Sequence, residues 1–256
     1  CLPMKSKPRV LITRPVAQAN LLAQRLSCLG YQTSLLPLME IQRLEFSNSM
    51  LSSSKKSPVQ IADTLIFVSA NAVRCSLDQL RELGIDLSAK RLLAMGPATA
   101  AALSEKGCDS EMAESGFRSE DLLQKLNSEA SPPQSITVIC GEGGRGFLES
   151  GLSDLGAAVN RIEVYRRQPS EDIESVLAEL DQEARPDLIS LMNQETLLLL
   201  DEAIQKLNFQ HWKSISVLVS SLRIQETAKD LGFLQVFCQS DPTENSLIDF
   251  LAQFSP

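Results

Sequence analysis

A glycine-rich hexapeptide is the most distinctive chemical feature of this sequence. Residues 141–146 read Gly-Glu-Gly-Gly-Arg-Gly, which matches the pattern G-x-G-x-x-G between an apolar run and a helical pattern. In a dinucleotide-binding fold such a loop approaches a pyrophosphate, and Glu163 stands about where that fold places its ribose-binding acid. The residues also fit a plain strand-to-helix turn, or a carboxylate site in which free N–H groups act together with Arg145. The motif alone leaves these three interpretations open.

Tyr165, in the segment Val164-Tyr165-Arg166-Arg167, is one of two tyrosines in the chain. Its phenol could donate a hydrogen bond or move a proton, and on spacing alone it also fits a tyrosine of an edge strand. The single histidine, His211, is expected in a surface loop. Because G-x-S-x-G, Walker A and H-E-x-x-H patterns are all absent from the sequence, it predicts no hydrolase triad.

Small or polar residues follow several apolar runs of the sequence. These turns occur at residues 13–15, 69–72, 96–99, 193–194 and 220–223. The carboxyl ends of parallel strands are where open α/β sheets bind ligands. Each turn alone fits a simple helix cap, but together they predict several helix N-termini that converge on one anionic ligand.

Composition and charge exclude several classes of protein. The chain has 256 residues and a net charge of −8, which argues against binding to a phosphate backbone, and 5% aromatic residues argue against a base-stacking platform. No apolar run approaches the ~20 residues of a membrane helix, and no signal peptide is recognisable. The sequence therefore predicts neither a nucleic-acid partner nor a membrane partner.

The six cysteines include no C-x-x-C pair, which argues against a zinc site. Cys28, Cys75 and Cys140 have apolar neighbours and are expected to be small buried hydrophobes. Free thiols fit a reducing cytoplasm, so a cytoplasmic location is expected. The leading Cys1-Leu2-Pro3 is interpreted as a processing remnant, with a lipidated cysteine as the alternative.

The elements that must position these residues follow an α/β pattern. Short apolar runs without alternation are typical of strands buried on both faces of a parallel sheet. The clearest runs are residues 10–13, 64–68, 91–95, 136–140, 188–192, 216–219 and 235–238. The helical stretches between them predict a doubly wound α/β architecture.

The sequence also repeats itself at an interval of roughly 125 residues. The leucine-rich stretch 22–29, which a glycine follows, has a counterpart with the same spacing at 148–155, and Gly107 has a counterpart in Gly232. A near-constant offset over several elements predicts two similar units.

Taken in order along the chain, these segments resemble the uroporphyrinogen-III synthase family. The segments that carry the resemblance are residues 10–15, 65–73, 94–100, 141–146 with 155–157, and 164–167. Each is weak alone, but as an ordered set they cover nearly the whole chain, and the family explains the glycine-rich segment without a nucleotide. The alternatives are a dinucleotide-dependent oxidoreductase and a non-catalytic two-domain protein that binds anions.

The resemblance implies an α/β fold of two similar flavodoxin-like domains with parallel sheets, joined by two extended strands. Domain 1 would be discontinuous, with residues 1–38 plus 169–256, and domain 2 would comprise residues 42–164. The inter-domain strands would be residues 36–44 and 161–168. Each repeat would then give its first strand and helix to one domain and most of its remainder to the other.

The resemblance also implies a reaction. The family cyclises hydroxymethylbilane, a linear tetrapyrrole with eight carboxylates, with loss of water and inversion of ring D, and so makes uroporphyrinogen III for haem and sirohaem. It implies no metal, no cofactor and a monomer, and hydroxymethylbilane synthase, which makes the substrate, would be a transient partner. Because the free substrate closes to the uninverted isomer I, the protein's task is mainly conformational.

Carried over by position, the resemblance predicts that Tyr165 is catalytic, as proton donor to the departing hydroxyl, together with Thr99. Because substrate and protein are both negative, local donors must supply the affinity. The predicted substrate-binding residues are Arg14, Ser69, Asn71, Ala72, Gly96, Ala98, Gly143, Arg145, Asn193 and Arg223. The chain departs from the family at residues 220–223, where a second G-P-x-T-like turn is common, and at Asn193, where serine is common.

Overall fold

A computed structural model describes residues 7–46, 58–113, 118–144, 146–239, 241 and 243–254. Cys1-Leu2-Pro3 and Arg145, for which the sequence carried predictions, lie outside these ranges. Within them, no helix has both the length and the apolar character needed to cross a membrane.

The described residues alternate between short strands and helices. The strands are β1 (Arg9–Ile12), β2 (Gln32–Leu35), β3 (Met39–Arg43), β4 (Thr64–Phe67), β5 (Arg91–Ala94), β6 (Ser135–Gly141), β7 (Ala158–Pro169), β8 (Leu188–Leu191), β9 (Ser216–Val219) and β10 (Val236–Cys238). The helices are α1 (Val16–Cys28), α2 (Pro58–Ile61), α3 (Ala70–Glu82), α4 (Pro97–Glu105), α5 (Ser119–Asn127), α6 (Phe147–Asp154), α7 (Ile173–Glu183), α8 (Gln194–Lys206), α9 (Leu222–Asp230) and α10 (Glu244–Gln253). The predicted α/β fold class is confirmed.

The chain divides into two compact units. Unit 1 comprises the described residues of Cys1–Glu40 and Gln168–Pro256, and unit 2 comprises those of Ile41–Arg167. The chain therefore passes between the units twice, once within β3 and once within β7.

Unit 1 contains a sheet in the order β10-β9-β8-β1-β2, and all its pairs are parallel. Numbered along the unit, this is the strand order 2-1-3-4-5 of flavodoxin-like folds. Alternate residues of its strands face two apolar clusters. Val10 and Ile12 pack with α1 and α10, whereas Leu11 packs with α7, α8 and α9, so helices cover both faces of the sheet.

Unit 2 contains a sheet in the order β3-β7-β6-β4-β5. The pairs among β4, β5, β6 and β7 are parallel and repeat the order 2-1-3-4. The remaining pair of this sheet, β3 with β7, is antiparallel. The N–H of Leu44 donates to Val164 O, whereas that of Ser170 donates to Leu38 O, so the strand numbers run in opposite directions. The cause is the chain path, since β3 leaves unit 1 and β7 returns to it.

The internal repeat is visible element by element. β4 and α3 have counterparts in β8 and α8 at an offset of 124 residues, and β5 and α4 have counterparts in β9 and α9 at an offset of 125. β1 and α1 similarly correspond to β6 and α6. Each repeat gives its first strand and helix to one unit and its later strands to the other, so the units share a topology but exchange segments.

One prediction about the core is wrong. Cys140 is buried and Cys75 is half-buried, but Cys28 is exposed. On α1 the buried positions are Ala19, Leu22 and Leu26. Because Cys28 follows Leu26 by two residues, it lies well away from this buried face of the helix.

Candidate active site

A cavity of about 1150 Å³ lies in unit 2 where the strand order reverses, at the carboxyl ends of β4 and β6. Open α/β sheets bind ligands at this switch point because the loops after the two central strands diverge there. Val68 after β4, Met95 after β5, and Cys140 and Gly141 at the end of β6 contribute to its wall, and Tyr165 of β7 lies beside them. The cavity is thus lined by residues from four of the segments that carry the resemblance, 65–73, 94–100, 141–146 and 164–167.

Tyr165 is held by two features of its neighbours. Its hydroxyl lies 3.1 Å from Ser69 Oγ, and its side chain is almost completely buried. Ser69 follows β4, and β6 lies between β4 and β7, so the ring must cross β6 to reach it. Gly141 makes this possible, because a Cβ at that position would lie 2.6 Å from the ring carbon that carries the hydroxyl.

Ser69 is also the N-cap of α3. Its Oγ accepts a hydrogen bond of 3.1 Å from the N–H of Ala72. A serine hydroxyl has one proton and two lone pairs, so Ser69 can accept from Ala72 and donate to Tyr165 at once. In that arrangement the phenol proton of Tyr165 is free to be donated elsewhere.

The glycine loop, residues 141–146, connects β6 to α6. Gly143, Gly144 and Gly146 all have positive φ, of 77°, 111° and 65°, a conformation that favours glycine. None of the described residues accepts a hydrogen bond from the N–H groups of Gly143, Gly144 or Phe147. Among the described residues, the loop and the start of α6 therefore present backbone donors without an acceptor, and these donors line the cavity.

The other residues predicted in unit 2 surround the starts of α3 and α4. Ala72 is fully buried and its N–H is taken by Ser69, whereas Asn71 is half-buried on the first turn of α3. Gly96 is the N-cap of α4, and Ala98 is exposed on its first turn. Thr99 is buried, its N–H donates to Gly96 O, and it does not line the cavity.

Arg14 follows β1, at the corresponding switch point of unit 1. Its side chain is only 12% exposed, and its buried Nε has no hydrogen-bond partner among the described residues. Its Nη1 lies 3.5 Å from Glu244, a carboxylate that also binds Arg25 at 3.2 Å. Burial lowers the pKa of Arg14, and Glu244 only partly opposes this. Arg14 is therefore a poorly satisfied cation at a position where such folds bind ligands.

The two departures from the family pattern turn out to be helix caps. Asn193 Oδ1 accepts a 2.9 Å hydrogen bond from the N–H of Thr196 at the start of α8, and Ser221 caps α9. Asn193 corresponds to Ser69 in the repeat, and both residues cap their helices in the same way. Arg223 is exposed on the first turn of α9.

Three cavity-lining arginines are absent from the predicted site. They are Arg118, Arg161 and Arg167. The predicted cations were those near strand-to-helix turns, and these three lie elsewhere. Alternation along β7 could not have revealed them, because the register with β6 shifts before Tyr165, which packs in the same apolar cluster as Ile162 and Val164.

Comparison with known proteins identifies the family. The family model described as uroporphyrinogen-III synthase HemD matches residues 20–249. The chain belongs to the uroporphyrinogen-III synthase family. Its activity is accordingly uroporphyrinogen-III synthesis, and its substrate is a tetrapyrrole. The match supports neither the oxidoreductase nor the non-catalytic alternative.

Similar proteins agree with membership of the uroporphyrinogen-III synthase family. A uroporphyrinogen-III synthase from Proteus mirabilis is 31% identical over 162 residues, which cover 62% of this chain and 79% of the relative. Crystal structures of the synthases from Thermus thermophilus, as a triple mutant, and from Helicobacter pylori are 18% and 14% identical. Both alignments cover 96% of this chain and 99% of the other, with TM-scores of 0.54 and 0.57, so they share its fold.

Proposed function

We propose that this enzyme converts hydroxymethylbilane into uroporphyrinogen III, and that Tyr165 donates the proton that lets the terminal hydroxyl leave as water. The observation that carries the assignment of Tyr165 is its 3.1 Å contact with Ser69 at the wall of the cavity. Ser69 donating to Tyr165 Oη stabilises the phenolate that forms as the proton departs.

The proposed step is balanced within substrate and protein. The nitrogen lone pair of the terminal pyrrole expels the hydroxyl, the C–O bond breaks, and the Tyr165 proton completes a water molecule. The resulting azafulvenium cation is attacked by the substituted α-carbon of ring D at the other end of the chain, which gives a spiro intermediate. The bond from that carbon to the methylene bridge of the neighbouring ring then breaks and re-forms at the free α-carbon of ring D, and the proton lost from that carbon restores the phenol. Tyr165 acts as a general acid and later as a base.

Backbone donors and a few cations are proposed to bind the substrate carboxylates. In unit 2 the donors are Gly143 and its neighbours in the glycine loop, with Arg145 from the same sequence segment, and the first turns of α3 and α4. The predicted residues of those turns are Asn71, Ala72, Gly96 and Ala98, with Thr99 as the proposed second catalytic residue. Because the N–H of Ala72 is already bonded, its contribution would be to orient Ser69.

In unit 1, Arg14, Asn193 and Arg223 are proposed to bind carboxylates of the substrate. The support is strongest for Arg14, whose buried Nε lacks a partner among the described residues. A carboxylate would satisfy that donor and offset the burial of the charge. A monomer and a transient complex with hydroxymethylbilane synthase, which would shield an unstable substrate from spontaneous closure, complete the proposal.

The test is an isomer assay with Tyr165→Phe. Hydroxymethylbilane is generated in situ, the products are oxidised, and isomers I and III are separated by chromatography. The wild type should give isomer III, and Tyr165→Phe should lower kcat about a hundredfold with little change in KM, because only the general acid is lost.

Tyr31→Phe is the matched control, since Tyr31 is the other tyrosine and lies in unit 1, where its ring faces Lys7. Its turnover should equal that of the wild type. Isomer I at the rate of the protein-free blank from the wild type would overturn the proposed reaction. Wild-type turnover by Tyr165→Phe would overturn the role of Tyr165 alone.

A further inference from the structure

The internal repeat supplies a comparison within one molecule. At an offset of 126, the end of α1 at Cys28 corresponds to the end of α6 at Asp154. The starts do not correspond, because α1 begins at Val16 whereas α6 begins at Phe147, five residues later than its counterpart. The glycine loop stands in place of the first turn of the helix, and residues of this loop line the cavity of unit 2.

Arg161 on β7 holds this loop. Its Nη2 donates to Gly141 O at 3.2 Å and also to Gly143 O, while Nη1 donates to Glu149 at 2.5 Å and Nε donates to Glu163 at 3.2 Å. At the corresponding position of the first repeat stands Leu35, which has no such donors. The arginine is thus present in the repeat whose helix begins five residues later.

Binding the carbonyls fixes the directions of the neighbouring N–H groups. In a trans peptide the C=O and the next N–H point in opposite directions. Holding Gly143 O against Arg161 therefore turns the N–H of Gly144 away from the arginine. Holding Gly141 O does the same for the N–H of Glu142, which donates to Tyr165 O at 2.7 Å.

Arg161 itself has little capacity left for a substrate. All three of its nitrogens already donate to carbonyls or carboxylates, and Glu149 and Glu163 compensate its charge. Burial opposes the charge, but the two carboxylates outweigh it and raise the pKa of Arg161 above its ordinary value. Arg161 is therefore placed to hold the glycine loop and not to bind the substrate directly.

We propose that Arg161 is a positioning residue for the reaction: it holds residues 141–144 in the conformation that turns the unpaired N–H of Gly144 to a carboxylate of the tetrapyrrole. This proposal rests on the proposed function. It requires the forked guanidinium, because one group must reach two carbonyls and two carboxylates at once.

The experiment compares Arg161→Leu, Arg161→Lys and Gly144→Ala with the wild type. All three should raise KM at least tenfold and change kcat less than threefold, because they remove binding that substrate and transition state share. Lysine keeps the charge but lacks the fork, and alanine at residue 144 meets a φ of 111° and Arg161 Nη2 at 3.3 Å. The dissociation constant of uroporphyrin, a stable octacarboxylate tetrapyrrole, should rise by the same factor as KM.

The matched control is Arg166→Leu, on the same strand, because Arg166 is exposed and binds Gln42 instead of the loop. Its KM should equal that of the wild type. A wild-type KM in Arg161→Leu would overturn the positioning role. A wild-type KM in Arg161→Lys alone would also overturn it, because the positive charge would then suffice without the forked guanidinium. Isomer I from the wild type would instead overturn the proposed function, while uroporphyrin binding would still decide the role of Arg161.

Discussion

At the scale of the residue, Gly141 is required for the position of Tyr165. Its φ is not in the left-handed region, so its role is to leave space and not to allow an unusual backbone. A Cβ would lie 2.6 Å and 2.7 Å from two ring carbons of Tyr165. A rigid ring cannot yield as the end of an aliphatic chain can, so any side chain at residue 141 must displace the tyrosine from Ser69.

Gly141→Ala is therefore expected to lower kcat at least tenfold while the protein remains folded. The physical reason is loss of the Tyr165–Ser69 hydrogen bond that prepares the phenol proton. The isomer assay measures the rate, and thermal unfolding monitors the fold.

Gly151→Ala is the matched control for steric crowding. A Cβ there would lie 2.4 Å from a terminal methyl of Leu123, and Tyr165 is not among the atoms that it would meet. It should lower stability by about 1–3 kcal/mol without lowering kcat. Equal kcat values for the two alanine variants would show that crowding, and not Tyr165, explains the effect.

At the scale of the element, an ion-pair network stabilises the edge of the sheet of unit 2. In unit 1, β10 pairs with β9, but at the corresponding place among the described residues of unit 2 only Glu111 forms a bridge, with Leu93 of β5. Arg91, the first residue of β5, adds paired hydrogen bonds of 2.7–2.9 Å to Glu111 and two of 2.7 Å to Glu129. In unit 2 the ion pairs thus hold the segment that contains Glu111 against the edge of the sheet, where unit 1 has a paired strand.

Arg91→Ala should lower the free energy of unfolding by about 1 kcal/mol at pH 7, since ion pairs that are still partly exposed contribute modestly. Hydrogen bonds from Arg91 and Lys125 lower the pKa of Glu111 to about 2, against ~4.3 for an ordinary glutamate. The contribution is therefore complete above pH ~5 and is lost as the pH falls toward 2. Urea unfolding at pH 7 and pH 3 measures the difference between variant and wild type.

Lys206→Ala is the control for that network. Lys206 also binds two carboxylates, Glu174 at 3.1 Å and Glu202 at 3.0 Å, but it is 56% exposed and lies in unit 1. It should change the urea midpoint little at either pH. A difference for Arg91→Ala that does not shrink at low pH would contradict the assignment to ionised glutamates.

At the scale of the whole molecule, the negative net charge of the protein repels the proposed substrate. The protein has a net charge of −8 and the proposed substrate has eight carboxylates. Repulsion acts over the Debye length, whereas hydrogen bonds from backbone N–H groups act at contact. Affinity must therefore come from local donors, such as those of the glycine loop.

Salt should consequently raise kcat/KM or leave it unchanged between ~20 mM and ~150 mM sodium chloride, because screening weakens the long-range repulsion. Initial rates at substrate concentrations far below KM measure this, with sucrose of equal osmolarity as the control for solution effects. A fall of tenfold or more would contradict the argument, because it would show that a cationic surface attracts the substrate over long distances.

The strands were largely predictable from the sequence. Runs such as residues 188–192, in which only Ser190 is polar, are almost entirely apolar because both faces of these sheets are covered by helices, and β8 occupies residues 188–191. The repeat was also visible, because the same pattern of strand and helix recurs at a nearly constant interval. Cys28 was not predictable from its apolar neighbours, because exposure depends on which side of α1 meets the sheet.

The sequence by itself determined the α/β class, the repeat and the family, because these depend on local periodicity and on the order of motifs along the chain. Tertiary structure decided the strand order, the antiparallel pairing of β3 with β7, and the contacts among Gly141, Ser69 and Tyr165. It also decided that Arg161 binds Gly141, Gly143 and Glu149, since these three partners lie outside β7. These features depend on which distant segments pack together, and no local pattern encodes the side-chain distances that result.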